Sequence, residues 1–315
     1  MPIEERGVTN HRAKSCKCES CKRTRNEPHK ISYGLIHEYS EAPRGGWSPR
    51  MTLHESLNGI PNDLLLGVEL ETHIPYDQST TATVEEAASM KRPASLWLPK
   101  HDSSVSGPEF ASQPASLAYW QAIRPALEEM FTMLLHAGIR SHEGDTCGMH
   151  VNISTKTFGT REHLIRFANL IHVNKRWTRR MSQRTLDSSQ HWAKLDGTVL
   201  TQTDTLENWA QGIIDYGAAG NDRYMALNAL NANRVEFRLP RGTLRLDRFY
   251  KNLEWTAAMV EYSRDGEDES GKVKAMVPAS FMRWTLANRE SYPDFANYIE
   301  EKFAASVAVG DAVAA

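Results

Sequence analysis

The segment LLLGVELE (64–71) carries two glutamates, Glu69 and Glu71, two positions apart. In an extended strand alternate side chains share a face, so both carboxylates project the same way, about 7 Å apart. Left unneutralised they repel each other, and a hard cation is the natural compensation. RVEFRLP (234–240) places Arg234, Glu236 and Arg238 on one face by the same rule, and CGMHVNIS (147–154) does so with His150 and Asn152. Guanidinium groups suit phosphates, while carboxylates and imidazole suit metal ions. In a fourth stretch, HDSSVSGPEFASQP (101–114), Asp102 and Glu109 sit on a Ser/Gly-rich turn leading into a short strand, where Glu109 can supply a further metal ligand.

These residues need strands to aim them, and the pattern supplies three. Each has an apolar back: Leu66, Val68 and Leu70; Met149, Val151 and Ile153; Val235, Phe237 and Leu239. Any one polar front alone reads most simply as a solvated sheet face. Such faces favour Lys, Thr, Ser and Gln, whereas these carry carboxylates, imidazole and guanidinium groups, and four such stretches in one chain favour a site. Helices are expected over 119–139, with Ile123, Leu127, Met130, Phe131, Leu134 and Leu135 on one stripe and an end at Gly138. Further helices are expected over 161–177, with Leu164, Phe167, Ala168 and Ile171 inward, over 247–263, and near 288–303. The long connections 72–107 and 182–222 are candidate lids.

The 315 residues allow one large domain or two ordinary ones, and a formal charge of −2 excludes a basic nucleic-acid-binding body. No apolar run approaches the roughly 18 residues of a membrane span, and the N-terminus lacks a secretory apolar segment, so a cytoplasmic protein is expected. Residues 1–30 form a basic, Cys-rich segment, 31–61 a linker, 62–303 the catalytic domain and 304–315 a flexible tail. Cys16, Cys18 and Cys21 with His11 or His29 have the donors of a small zinc knuckle. Flanked by Lys14, Lys17, Lys22, Arg23 and Arg25, it is the one segment suited to nucleic acid or an acidic partner. Cys147 reads as buried packing rather than a nucleophile.

In order, GVELE, the D-x-S-x(3)-G-x-E-x-x-S-x-P run at 102–114, CGMHVNIS, RYMALN (223–228) and RVEFRLPRGTL (234–244) resemble the amidoligases, carboxylate–amine ligases related to glutamine synthetase and glutamate–cysteine ligase. The likeness covers about residues 62–262. It implies an α+β fold: a curved antiparallel sheet, helices on its convex face, and a concave front open to ATP, as in glutamine synthetase. It implies Glu69, Glu71, Glu109, His150 and Glu236 as Mg²⁺ ligands, with His150 on the metal that holds the nucleotide phosphates. Arg238 would meet the transferred phosphate, with Glu236 and Glu109 beside it in catalysis. Arg234 and Arg223 would contact phosphate or substrate, and Asn152 and Asn228 would orient substrate. The implied activity is ATP-dependent amide-bond formation through an acyl phosphate, on a glutamate-like or peptide carboxylate, with an amine, peptide or protein as acceptor. No general base is evident, and Asp102 is one candidate. Two alternatives stay open: a phosphotransferase on the same fold, and a non-catalytic metal- or nucleic-acid-binding module.

Overall fold

The computed structural model describes residues 64–74, 97–102, 104–142, 147–154, 157–185, 192–195, 224–228, 234–267 and 276–313. The N-terminal cysteines and histidines, the linker, Arg223 and most of both candidate lids lie outside them. The chain is a mixture of helices and antiparallel strands in two compact units. The first comprises Gly67–Met149 and Gly242–Leu246; the second comprises His150–Arg241 and Asp247–Ala315, with residues 61–66.

In the first unit, β1 (Leu65–Glu71), β2 (Trp97–His101) and β3 (Pro108–Ser112) run in the order β2-β3-β1, and β4 (Ala115–Ser116) pairs with β1. The register sets two rows across the three strands. Pro99, Phe110 and Leu70 form an apolar row, and Lys100, Glu109 and Glu71 form the polar row next to it. Helices α1 (Leu117–Ala122) and α2 (Arg124–His136) follow, and Trp97 meets Trp120 of α1 edge-on at 5.6 Å between ring centres. The single helix expected over 119–139 is therefore two. Pro125, which lacks an amide hydrogen and disfavours helical geometry in the residue before it, suits the first turn of a new helix rather than the middle of an old one. The end is where expected, at Gly138 with φ 81°. Leu135, assigned to the apolar stripe, is exposed.

One contact cinches the β2–β3 hairpin to β1. Thr72 Oγ1 donates to Pro108 O at 2.6 Å, and Gly107 N donates to Thr72 O at 3.0 Å. A Cβ on Gly107 would stand 2.5 Å from Thr72 Oγ1, so only glycine fits. Trp97–His101 lies within the candidate lid 72–107 and forms instead the outer strand of this set.

In the second unit, β5 (Met149–Ser154), β6 (Leu227–Asn228) and β7 (Arg234–Phe237) run in the order β5-β7-β6. Val151, Phe237 and Leu227 form an apolar row; Asn152, Glu236 and Asn228 form the adjacent polar row. Helices α3 (Arg161–His172), α4 (Lys175–Ser182), α5 (Leu246–Arg264), α6 (Pro278–Ala287) and α7 (Pro293–Val313) complete it. Phe237 packs on Trp255 of α5 at 5.0 Å, and Trp177 and Phe281 extend that aromatic core. The helix expected over 161–177 breaks at Val173–Asn174, where the Asn174 amide donates to Leu170 O at 3.1 Å. Helix α6, in a stretch to which periodicity assigns no element, starts on Pro278 and buries Phe281, Met282 and Thr285. Helix α7 begins where Glu254 Oε2 accepts from Phe295 N at 2.9 Å, and it continues to Val313 through most of the stretch assigned to the tail. That stretch is rich in alanine, which favours helix. Among the described residues no helix is long and apolar enough to cross a membrane.

Candidate functional site

The glutamates and the histidine of the polar fronts are withdrawn from solvent. Glu69, Glu71 and Glu236 are each 5% exposed, His150 is 3% and Glu109 is 1%. Charged groups withdrawn to this degree need partners or a ligand, and each unit supplies a cluster of them.

In the first unit, Glu71, Asp102 and Glu109 bring ligand oxygens within 4.8 Å of one another. The β1–β3 register puts Glu71 directly opposite Glu109, and the turn after β2 delivers Asp102. Glu71 also accepts a short hydrogen bond from Gly148 N, and its own carbonyl accepts from Ser141 Oγ at 2.6 Å. Lys100, opposite Glu109 on the other side, sets its Nζ 2.5 Å from Glu109 Oε1. Burial, and then the charge of Glu69, push the Glu109 carboxyl well above the ordinary carboxylate range, against the pull of Lys100. Burial opposes the Lys100 ammonium, but Glu69 and then Glu109 outweigh it and raise its pKa. Burial also pushes the Asp102 carboxyl up, yet hydrogen bonds from Ser104, one of 2.7 Å from its backbone N–H, hold it below the usual range. A carboxylate held ionised in this way suits cation binding better than proton abstraction from an ammonium group.

In the second unit, Glu236 is the hub. Arg238 Nη1 donates to its Oε1 at 2.5 Å, His150 Nδ1 lies 3.2 Å from the same oxygen, and Asn228 Nδ2 donates to Oε2 at 2.9 Å. Asn152 stands opposite Glu236 in the register, and Arg234 stands opposite Ser154. The Arg238 guanidinium lies 5.8 Å from the centre of the Tyr224 ring, and its Nε donates to Trp192 O at 3.4 Å. The backbone beyond β7 is held by buried Arg184, which donates to Leu239 O at 3.1 Å and Arg238 O at 3.2 Å. A guanidinium braced from both sides in this way is pre-set for a phosphate or carboxylate.

The sequence-derived candidates thus gather within their units: Glu69, Glu71 and Glu109 in one; His150, Asn152, Asn228, Glu236 and Arg238 in the other. Lys100 was not foreseen, and neither were Tyr224 and Arg184. For Lys100 a signal existed, since it and Glu109 stand at matching distances from the middle of the D-S-S-V-S-G turn, as cross-strand partners in a hairpin must.

No family model matches the chain and no curated protein does. Among solved structures, the complex of the prokaryotic ubiquitin-like protein Pup with its ligase PafA aligns at a TM-score of 0.32 and 11% identity. The alignment covers 76% of this chain and spans 58% of the matched chain.

Proposed function

We propose that this chain is an ATP-dependent carboxylate–amine ligase on a glutamine-synthetase-like α+β fold. The observation that carries the reading is the group Glu71, Asp102 and Glu109, three carboxylates with ligand oxygens within 4.8 Å on neighbouring strands and their turn. An all-oxygen, multiply charged donor set fits Mg²⁺ and not the softer, thiolate-preferring metals. In this reading Glu69, Glu71 and Glu109 hold Mg²⁺ in the first unit, and His150 and Glu236 do so in the second. When bound, ATP with Mg²⁺ neutralising its phosphates would pass its γ-phosphoryl group to an inert carboxylate, releasing ADP, and an amine would then displace inorganic phosphate from the acyl phosphate to leave an amide.

The chain's own part is aim and charge. Arg238 supports the negative charge that develops on the transferred group. Glu236 grips the Arg238 guanidinium at Nη1 and thereby fixes its direction. Asn152 and Asn228 offer amides to orient substrate, and Arg234 and Arg223 offer guanidinium groups to phosphates. The donor is a glutamate-like or peptide carboxylate and the acceptor an amine, a peptide or a protein, in the cytoplasm where ATP is available.

The test is ADP release with Mg²⁺-ATP and pooled amino acids, dipeptides and polyamines, comparing the natural chain with Glu236→Gln. Turnover should need a carboxylate and an amine together and fall about 10²-fold or more in the variant. ADP release that ignores the amine would assign a phosphotransferase instead. Absence of any Mg²⁺-dependent ATP binding would overturn the enzyme reading and leave a binding module.

A further inference from the structure

We infer that Lys100 is a tethered counter-ion: its ammonium group occupies the cation's place among the first unit's carboxylates, and Mg²⁺ must displace it from Glu109 to bind. This rests on the reading of that group as a metal site and adds a competitor built into the chain.

Of the four carboxylates Glu69, Glu71, Asp102 and Glu109, Lys100 meets the charge of three, Glu69, Glu109 and Asp102, among the described residues. It makes contact at the most buried of the four, with Nζ 2.5 Å from Glu109 Oε1. A Mg²⁺ ion bound to Glu109 would approach its oxygen to about 2.0–2.1 Å. The ammonium would then stand next to a divalent charge, and the two would repel strongly in a poorly solvated place. Lysine suits departure from such a position, being a point charge on a long flexible stem. Lys100 also lies on β2, the outer strand of its set, and its side chain is 15% exposed, which leaves it a route to water. Held in place without metal, it prevents the carboxylates from repelling one another apart; displaced, it leaves their oxygens to the ion.

A lysine that merely pins the β2–β3 hairpin would make the same contact. The two roles separate when metal is titrated. The full chain, Lys100→Met and Lys100→Arg are each titrated with Mg²⁺ alone by calorimetry, and thermal midpoints are recorded with and without the ion. Lys100→Met should melt lower than the natural chain without metal, bind Mg²⁺ at least about tenfold tighter, and gain the larger midpoint shift on adding it. Lys100→Arg keeps the charge and should stay within about threefold of the natural chain. Equal or weaker Mg²⁺ binding by Lys100→Met, with the natural chain still binding, would overturn the counter-ion role and leave the metal reading standing. Failure of every form to bind Mg²⁺ would overturn both. If Lys100→Met does not fold, crystals of the natural chain soaked in Mn²⁺ decide the matter. An ion on Glu109 with Nζ withdrawn beyond the roughly 4 Å of an ion pair supports the inference, and an ion with Nζ still in contact overturns it.

Discussion

The two units solve one geometric problem with different charge. Each has three strands crossed by an apolar row with a polar row beside it: Pro99, Phe110 and Leu70 beside Lys100, Glu109 and Glu71 in the first; Val151, Phe237 and Leu227 beside Asn152, Glu236 and Asn228 in the second. Both polar rows centre on a buried glutamate. In the first, Glu109 faces further carboxylates and is paired with Lys100. In the second, Glu236 is flanked by neutral amides and gripped by Arg238, so the charges nearly cancel. The same backbone pattern therefore yields one place crowded with carboxylates and another where a carboxylate holds a guanidinium. The neighbours of the central glutamate, and not the glutamate itself, set the chemistry.

The comparison breaks first at its apolar rows if they are not equivalent. Phe110 and Phe237 are both fully buried at the centre of their rows. Phe110→Ala and Phe237→Ala should each cost about 3–5 kcal/mol in chemical denaturation. A large gap between the two losses would show that one row bears no comparable packing. Next in size is Arg238→Ala. Turnover should drop on the order of 10²–10³-fold, while Mg²⁺ binding by the first unit's carboxylates stays as in the natural chain. A parallel loss of that binding would erase the division of labour between cation and anion.

Acid should act on the second unit's helical frame through His172. Burial, reinforced by Lys175, lowers its pKa from 6.5 to about 4. The unfolded chain takes up the proton first, so the stabilisation is fully present above about pH 6.5 and is lost as pH falls toward 4. The swing amounts to about 3 kcal/mol. Denaturation across that window should show it, and His172→Gln should flatten the profile; an unchanged slope in the variant would remove His172 as the cause.

Much of this arrangement was legible without coordinates, because the signal was alternation. Over 65–71, 149–154 and 234–237 a period of two sufficed to place the strands and their alternating faces, whereas the Ser/Gly-rich turn at 102–107 was legible without the strand Trp97–His101 that leads into it. Other features were hidden. The breaks at Ile123 and Val173 depend on Pro125 and on a local bond from Asn174, which periodicity smooths over. Helix α6 is short, and one of its three buried positions is a threonine, so it lacks an apolar stripe. Lys100 was hidden because its partner lies nine residues away across a hairpin, and lone surface lysines are too common to stand out.

Gly107 has a consequence for descent. The hairpin that carries Lys100, Asp102 and Glu109 is fastened to β1 at a point where Thr72 leaves no room for even a methyl group. Any amino-acid replacement at that position would push on the hairpin that carries all three charged groups, so inheritance can vary the acids and the lysine singly but meets a steric barrier to altering their joint placement.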